Sequence, residues 1–205
     1  KINPPAILRD IDSLPFPAYE LYDLNKYLDI KIRIVTSRGC PYKCTFCSIH
    51  LLMGFDFRTR SPENVVEEIR HWYNKGYRDF QFTDDNLSQD MKRAELLFDK
   101  IIESGMKIRF DIRNGLRVDK VNDNLLRKMK KAGCYFIAYA IESSDQEVIN
   151  KMKKGITAEI ARKAVVLTKK NGIRVGAFFI IGGLTDTFEK FKKSLAYAKT
   201  LPLDE

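Results

Sequence analysis

Three of the four cysteines, Cys40, Cys44 and Cys47, stand within eight residues, in Cys40-Pro41-Tyr42-Lys43-Cys44-Thr45-Phe46-Cys47. Three thiols so close cannot all pair with one another, and a secreted disulfide scaffold would spread its cysteines to close loops. The clustering points to a reducing compartment and to metal binding or reactivity. Thiolates are soft ligands that suit zinc, copper(I) or iron–sulfur clusters. His50 would complete a Cys3His zinc set, although zinc sites usually combine two separated close pairs. A four-iron cluster in an electron carrier normally takes four thiolates. Cys134 is a poor fourth ligand: it follows the helix-closing Gly133 at the start of an apolar run, and reads as a small buried hydrophobe. Gly39 and Pro41 interrupt any helix that would align the triplet as a core stripe, so the three cysteines read as a loop. Three loop thiolates would hold three irons and leave a fourth open, much as catalytic zinc keeps an open position. A catalytic cluster is the better reading, with a non-catalytic iron–sulfur or zinc module as the alternative.

Such a loop has to be carried by a scaffold. Lys31–Thr36, Asp79–Thr83, Lys107–Ile112, Tyr135–Ile141 and Arg174–Ile181 carry the β-branched, alternating or continuous apolar pattern of strands. Helical stripes lie between them: from Pro62 after the cap Ser61 to Gly76, Met91–Ser104, Asn122–Ala132, Asp145–Lys153, Ala158–Asn171 and Asp186–Thr200. Five alternations of strand and helix predict a parallel sheet with helices outside. A full eight-unit barrel needs about 250 residues, and the chain has 205. The fold class expected is therefore α/β, a partial, open TIM-like (β/α)5–6 barrel with parallel strands and outer helices. A doubly wound sheet is the alternative, but no G-x-G-x-x-G follows the first strand. Residues 1–30 hold Pro4, Pro5, Pro15 and Pro17 and read as a lead-in or linker, leaving 31–205 as the core domain.

In either architecture the active site lies at the carboxyl ends of the parallel strands. Each predicted strand empties into polar or glycine residues: Ser37-Arg38-Gly39 and the cysteines, Thr83-Asp84-Asp85-Asn86, Arg113-Asn114-Gly115, Glu142-Ser143-Ser144 and Gly182-Gly183. Adjacent Asp84 and Asp85 repel each other unless a cationic partner meets them. Lys and Arg number 36 against 27 Asp and Glu, giving a formal charge of +9, with 44% hydrophobic residues. The longest apolar runs, Cys134–Ile141 and Val175–Leu184, are shorter than the roughly 20 residues a membrane span requires. No signal-peptide pattern opens the sequence, and the expected compartment is the cytoplasm. Basic runs such as Arg127–Lys131 and Lys151–Lys154 lie on helix faces without interleaved aromatics, which argues against a nucleic-acid partner.

The cysteine segment resembles the C-x3-C-x-aromatic-C signature of the radical S-adenosylmethionine (radical SAM) superfamily. Further strings across Lys31–Leu201 resemble its cobalamin-associated branch of methyltransferases and anaerobic oxidative cyclases: Arg60–Glu63, Thr83–Asn86, Arg117–Asp119, Ala132–Cys134, Ile141–Ser143, Lys154-Gly155 and Ile180–Gly182. Ile11–Pro17 resembles the linker that follows the cobalamin domain there. The resemblance implies a [4Fe–4S] cluster whose open iron is chelated by SAM, and reductive cleavage of SAM to a 5′-deoxyadenosyl radical. It also implies a small-molecule substrate, a reductant of ferredoxin or flavodoxin type, and cobalamin carried by a domain outside this chain.

By the same resemblance Cys40, Cys44 and Cys47 ligate the cluster, and Phe46 lies against the adenine or the cluster edge. Thr83, Asp84 and Asp85 address the methionine amino group, and Glu142 and Ser143 the ribose or amino group. Ile180 and Gly182 offer backbone to the adenine, and Asn114 and Arg117 complete the set, Arg117 on the SAM carboxylate. A methylthiotransferase acting on tRNA or protein is the alternative enzyme. Two departures stand out. The family's Gly-Gly-Glu string is replaced by Asp84-Asp85-Asn86, and its Gly-x-Pro by Gly182-Gly183-Leu184. The chain stops at Leu201–Glu205, where a sixth strand is due, so it is expected to be a domain of a longer protein.

Overall fold

A computed structural model describes residues 8–27 and 31–205. Seven strands and seven α-helices follow in chain order: β1 (Ile32–Ile34), β2 (Ser37–Arg38), α1 (Ile49–Met53), β3 (Arg58–Thr59), α2 (Pro62–Asn74), β4 (Asp79–Phe82), α3 (Met91–Glu103), β5 (Arg109–Ile112), α4 (Asp123–Ala132), β6 (Cys134–Glu142), α5 (Gln146–Lys151), α6 (Ala158–Lys170), β7 (Arg174–Phe179) and α7 (Phe188–Lys199). β1, β4, β5, β6 and β7 form one parallel sheet in that order, each strand beside the next in the chain. The sheet curves but does not close, so the open barrel inferred from the alternation is the fold. The five predicted strands and six predicted helices all form, their ends trimmed or extended by a few residues.

The helices start where side chains satisfy their free amides. Ser61, Asp90, Asn122, Asp145, Thr157 and Thr187 each accept a backbone N–H of the first turn of the helix that follows. Between sheet and helices lies the core, in which Ile32, Ile34, Phe80, Phe82, Phe110 and Ile112 alternate toward α2, α3 and α4. Phe82 meets Phe110 edge-on at 4.9 Å, and Phe110 stacks on Phe98 at 5.6 Å.

The intervening positions point to the other, concave face. Asp111 is fully buried there and accepts from Lys31 (2.9 Å), Gln81 (2.9 Å), Tyr135 (3.1 Å) and Arg113 (3.2 Å). This polar floor lies below the carboxyl ends of the strands, where the loops gather.

The described part of the lead-in is packed onto the barrel. Ile11 is buried, the Asp12 carboxylate accepts from Ser61 N at 2.9 Å, and the Tyr19 hydroxyl donates to the Arg33 carbonyl at 2.9 Å along the outer edge of β1. Pro4 and Pro5 lie outside the described residues. At the opposite edge, Asp204 N donates to Val175 O at 2.7 Å and Ala177 N to Glu205 O at 3.2 Å, so the last residues run beside β7. Among the described residues no helix is long and apolar enough to cross a membrane.

Candidate functional site

The three cysteines occupy an irregular loop between the two strands of the antiparallel β2–β3 ribbon, over the carboxyl end of the sheet. All three are half-buried and free, while Cys134 opens β6 at the opposite end of the sheet and is buried. Burial pushes the Cys134 thiol far up, which fits an inert core residue. Burial also raises the Cys44 thiol, with Cys40 and Cys47 adding to the rise and Lys154 and Arg117 opposing it. Lys154 and Arg117 are thus the two cations that face Cys44. His50, the candidate fourth zinc ligand, instead stacks on Phe55 at 5.1 Å.

The start of the loop is bolted to the end of β4. Asp84 Oδ1 accepts from Thr36 N (3.1 Å), Thr36 Oγ1 (2.7 Å) and Ser37 Oγ (2.5 Å), and Asp85 Oδ2 accepts from Gly39 N (2.8 Å). Neutral donors, and not the cationic partner expected, bond the two acids, each acid having its own. Burial raises both carboxyls, and these hydrogen bonds partly offset the rise. Asn114 Nδ2 donates to the Asp84 carbonyl at 3.1 Å, and Asn86 Nδ2 approaches Cys40 Sγ at 3.7 Å. Asp84 Oδ2, Asn86 Oδ1 and Ser88 Oγ are buried without a partner, and of these residues Asn86 lies beside the first cysteine. Thr83 N donates to Ile34 O, and the Thr83 side lines a cavity of about 440 Å³ roofed by Pro15, Phe16 and Tyr19.

The far end of the loop rests on the residues after α5. Thr45 N donates to Met152 O at 3.0 Å. Lys154, buried, donates to Glu142 at 2.8 Å and sits 5.5 Å from the ring centre of the half-exposed Phe46. Glu142 ends β6 at a register shift with a φ of 70°. That conformation is costly for a residue with a Cβ and is often found at functional sites, where bulges re-aim side chains. Glu142 O accepts from Ile180 N at 2.9 Å, which ties the end of β7 to the same cluster.

Arg117 bonds Asp119 and the Lys154 carbonyl and lies over the Tyr42 ring. Two other expected residues point elsewhere. Ser143 Oγ bonds Ser194 Oγ of α7 at 3.1 Å, and the exposed Gly182 N donates to Asp186 at 3.0 Å. Lys154 and Tyr42, absent from the sequence-based set, are brought into the site by the fold.

Three free, half-buried thiols on one loop are a soft donor set that fits an iron–sulfur cluster. Among the described residues no three His, Cys, Asp or Glu side chains converge to hold one metal ion. A tetrahedral zinc needs its donors at about 2.0–2.3 Å from one point. Thiolates that each take a different iron have no such requirement.

Residues 34–198 match the model of the Radical SAM superfamily. Uncharacterized methyltransferase PH0819 of Pyrococcus horikoshii is 33% identical over 206 residues, covering 98% of this chain and 44% of the relative. Cytidylyl-2-hydroxyethylphosphonate methyltransferase of Streptomyces wedmorensis is 30% identical over 210 residues, 93% of this chain and 39% of the relative. The chain thus spans less than half the length of these curated relatives. Among solved structures, the radical S-adenosylmethionine methyltransferase TsrM of Kitasatospora setae, with tryptophan substrate and a SAM analog bound, superposes with a TM-score of 0.78 at 20% identity. That superposition covers 84% of this chain and 34% of TsrM and shows a shared fold.

Proposed function

The chain belongs to the radical SAM superfamily, and from that premise we propose that it is the SAM-cleaving core of a cobalamin-dependent methyltransferase or oxidative cyclase. The observation that carries the proposal is the cysteine loop itself, three free thiols held over the carboxyl ends of a parallel sheet. When bound, the cluster supplies one low-potential electron for the reductive cleavage of SAM.

The chain's own residues hold and orient. Cys40, Cys44 and Cys47 take three irons. Asp84 and Asp85 fix the entrance of the loop by accepting from Thr36, Ser37 and Gly39. Glu142, aimed by its bulge and held by Lys154, presents a carboxylate to the amino or ribose groups of SAM. The Phe46 ring offers a face to the adenine, and Ile180 offers backbone beside it, whereas Gly182 N is held by Asp186. Asn114 braces the Asp84 carbonyl, while Thr83 faces the cavity under the lead-in and Ser143 is turned to Ser194 of α7.

A small-molecule substrate is supported by the name of the Streptomyces relative, and cobalamin by a solved neighbour that holds it. A ferredoxin or flavodoxin as reductant and a cytosolic setting complete the reading. Anaerobic reconstitution tests it. Adding SAM is expected to change the EPR spectrum of the reduced cluster, Cys44→Ala to abolish the cluster, and Cys134→Ala to leave it intact. An unchanged spectrum, or one bound zinc per chain, overturns the proposal.

A further inference from the structure

Arg117 joins three loops through one guanidinium. Its Nε and Nη2 donate to the Asp119 carboxylate at 2.9 and 3.2 Å, and Nη2 also donates to the Lys154 carbonyl at 2.8 Å. The guanidinium carbon lies 3.6 Å from the centre of the Tyr42 ring. The side chain is 9% exposed. Tyr42 stands midway between Cys40 and Cys44, in the stretch between the backbone anchors at Gly39 and Thr45.

Only a planar guanidinium can stack on a ring while donating in its own plane, and an ammonium cannot do both. Asp119 belongs to the segment after β5 and Lys154 to the segment after α5, so both grips come from the barrel. The ring is the third grip, and it belongs to the cysteine loop. With one face, Nε and both Nη2 hydrogens engaged, only Nη1 is left over, so this guanidinium has no free two-nitrogen edge for a bidentate grip on a carboxylate.

We propose that Arg117 is a positioning residue that clamps the cysteine loop to the barrel through Tyr42, and is not a ligand of the SAM carboxylate. The role rests on reading the three cysteines as cluster ligands. The clamp itself can be read without any cluster, in the accessibility of the loop.

Arg117→Lys keeps the charge but loses the plane, Tyr42→Leu removes the ring, and Tyr42→Phe keeps it. In metal-free protein, mass spectrometry after iodoacetamide treatment is expected to show Cys44 alkylated about two- to fivefold faster in Arg117→Lys and in Tyr42→Leu. Tyr42→Phe should match the parent protein, and the double variant should be no faster than the faster single one. Cys134 should stay protected throughout, which reports that the fold is intact. After reconstitution, the same two variants should lose iron to a chelator faster by a similar factor. SAM affinity, measured on protein that retains its cluster, should not change. Unchanged Cys44 alkylation overturns the clamp, and so do additive effects. Weakened SAM binding in Arg117→Lys but not in Tyr42→Leu overturns it in favour of a carboxylate ligand. If the parent protein takes up no cluster, the functional reading of the cysteines fails, and the alkylation rates still decide the clamp.

Discussion

Asp84 and Asp111 are both buried carboxylates on neighbouring strand ends, but the donors around them differ in charge. Asp84 accepts from a backbone N–H and two hydroxyls, neutral groups that do not recover all the solvation lost, so burial leaves its carboxyl above the usual range. Burial also works to raise Asp111, but Lys31 and Gln81 outweigh it and hold the carboxyl below that range. The signs of the linked stabilities follow. Asp111 stabilises the fold at any pH above the unfolded value of about 3.9, and the contribution is lost as pH falls through the depressed native value. Asp84 acts the other way: the fold keeps a proton that the unfolded chain releases, so stability falls as pH rises from about 3.9 to the raised native value. Asp111→Asn is therefore expected to cost about 2 to 3 kcal/mol at pH 7, the loss shrinking toward acid pH. Asp84→Asn keeps an acceptor for Thr36 and Ser37 and should stay within about 1.5 kcal/mol of the parent while flattening the acid part of the profile. Urea unfolding followed from pH 3 to pH 8 distinguishes them. Neither environment is visible in the sequence, since the partners of Asp111 lie 80, 30, 24 and 2 residues away. Lys154 stands in the Lys154-Gly155 string, but its place in the site was hidden for a related reason: it closes the basic run 151–154, and only the fold buries it against Glu142.

At the scale of elements, the sheet strands and longer helices were legible because each carries a local signal. Ser61-Pro62, Asn122 and Gly133 mark helix ends by capping chemistry, and Phe80/Phe82 and Ile32/Ile34 mark strands by alternation. The β2–β3 ribbon and α1 were not legible. A two-residue strand has no period, and its pairing of Ser37 with Thr59 is a long-range event. α1 exposes Leu51 and Leu52, so it shows no buried stripe. Yet the ribbon shapes the entrance of the cysteine loop, and Gly39 is its pivot, with a φ of +83°. A Cβ there would lie 2.2 Å from the Asp56 carbonyl oxygen, so any side chain must displace backbone as well as accept the left-handed conformation. Gly182 has a similar φ of +78° but open space around it. Gly182→Ala should cost only the conformational penalty of about 1 to 2 kcal/mol. Gly39→Ala should cost clearly more and also detach Gly39 N from Asp85. Denaturation midpoints of the two variants, compared side by side, check the difference.

Across the whole molecule, the sheet has two edges, and chain from outside the five strands lies along both. Edge strands expose unpaired backbone groups that invite association, and covering them is a common remedy. Beside β7, Asp204 and Glu205 pair with Val175 and Ala177 at the place where a sixth strand is expected, and on β1 the cover is the lead-in, through the Tyr19 hydroxyl on the Arg33 carbonyl. The four prolines of residues 1–30, of which Pro15 and Pro17 are described, marked this segment as a lead-in or linker. Its attachment depends instead on single contacts at a distance, chiefly Asp12 on Ser61 N and Tyr19 against Trp72 at 5.4 Å. Ser61 N lies at the start of α2, where the helix dipole favours a negative charge, so the Asp12 carboxylate gains from both the hydrogen bond and the field. Asp12→Ala should therefore loosen the lead-in at a cost of about 1 to 2 kcal/mol. Trp72 is the one tryptophan of the chain and is 1% exposed, so it reports the event directly. In Asp12→Ala its emission should shift to the red at denaturant concentrations where the barrel core is still folded, and limited proteolysis should cut first within residues 8–27. If emission and cleavage stay at the parent's values until global unfolding, the lead-in is a tether and the edge of β1 is protected by something else. An early, separate transition makes the lead-in part of the domain's stability.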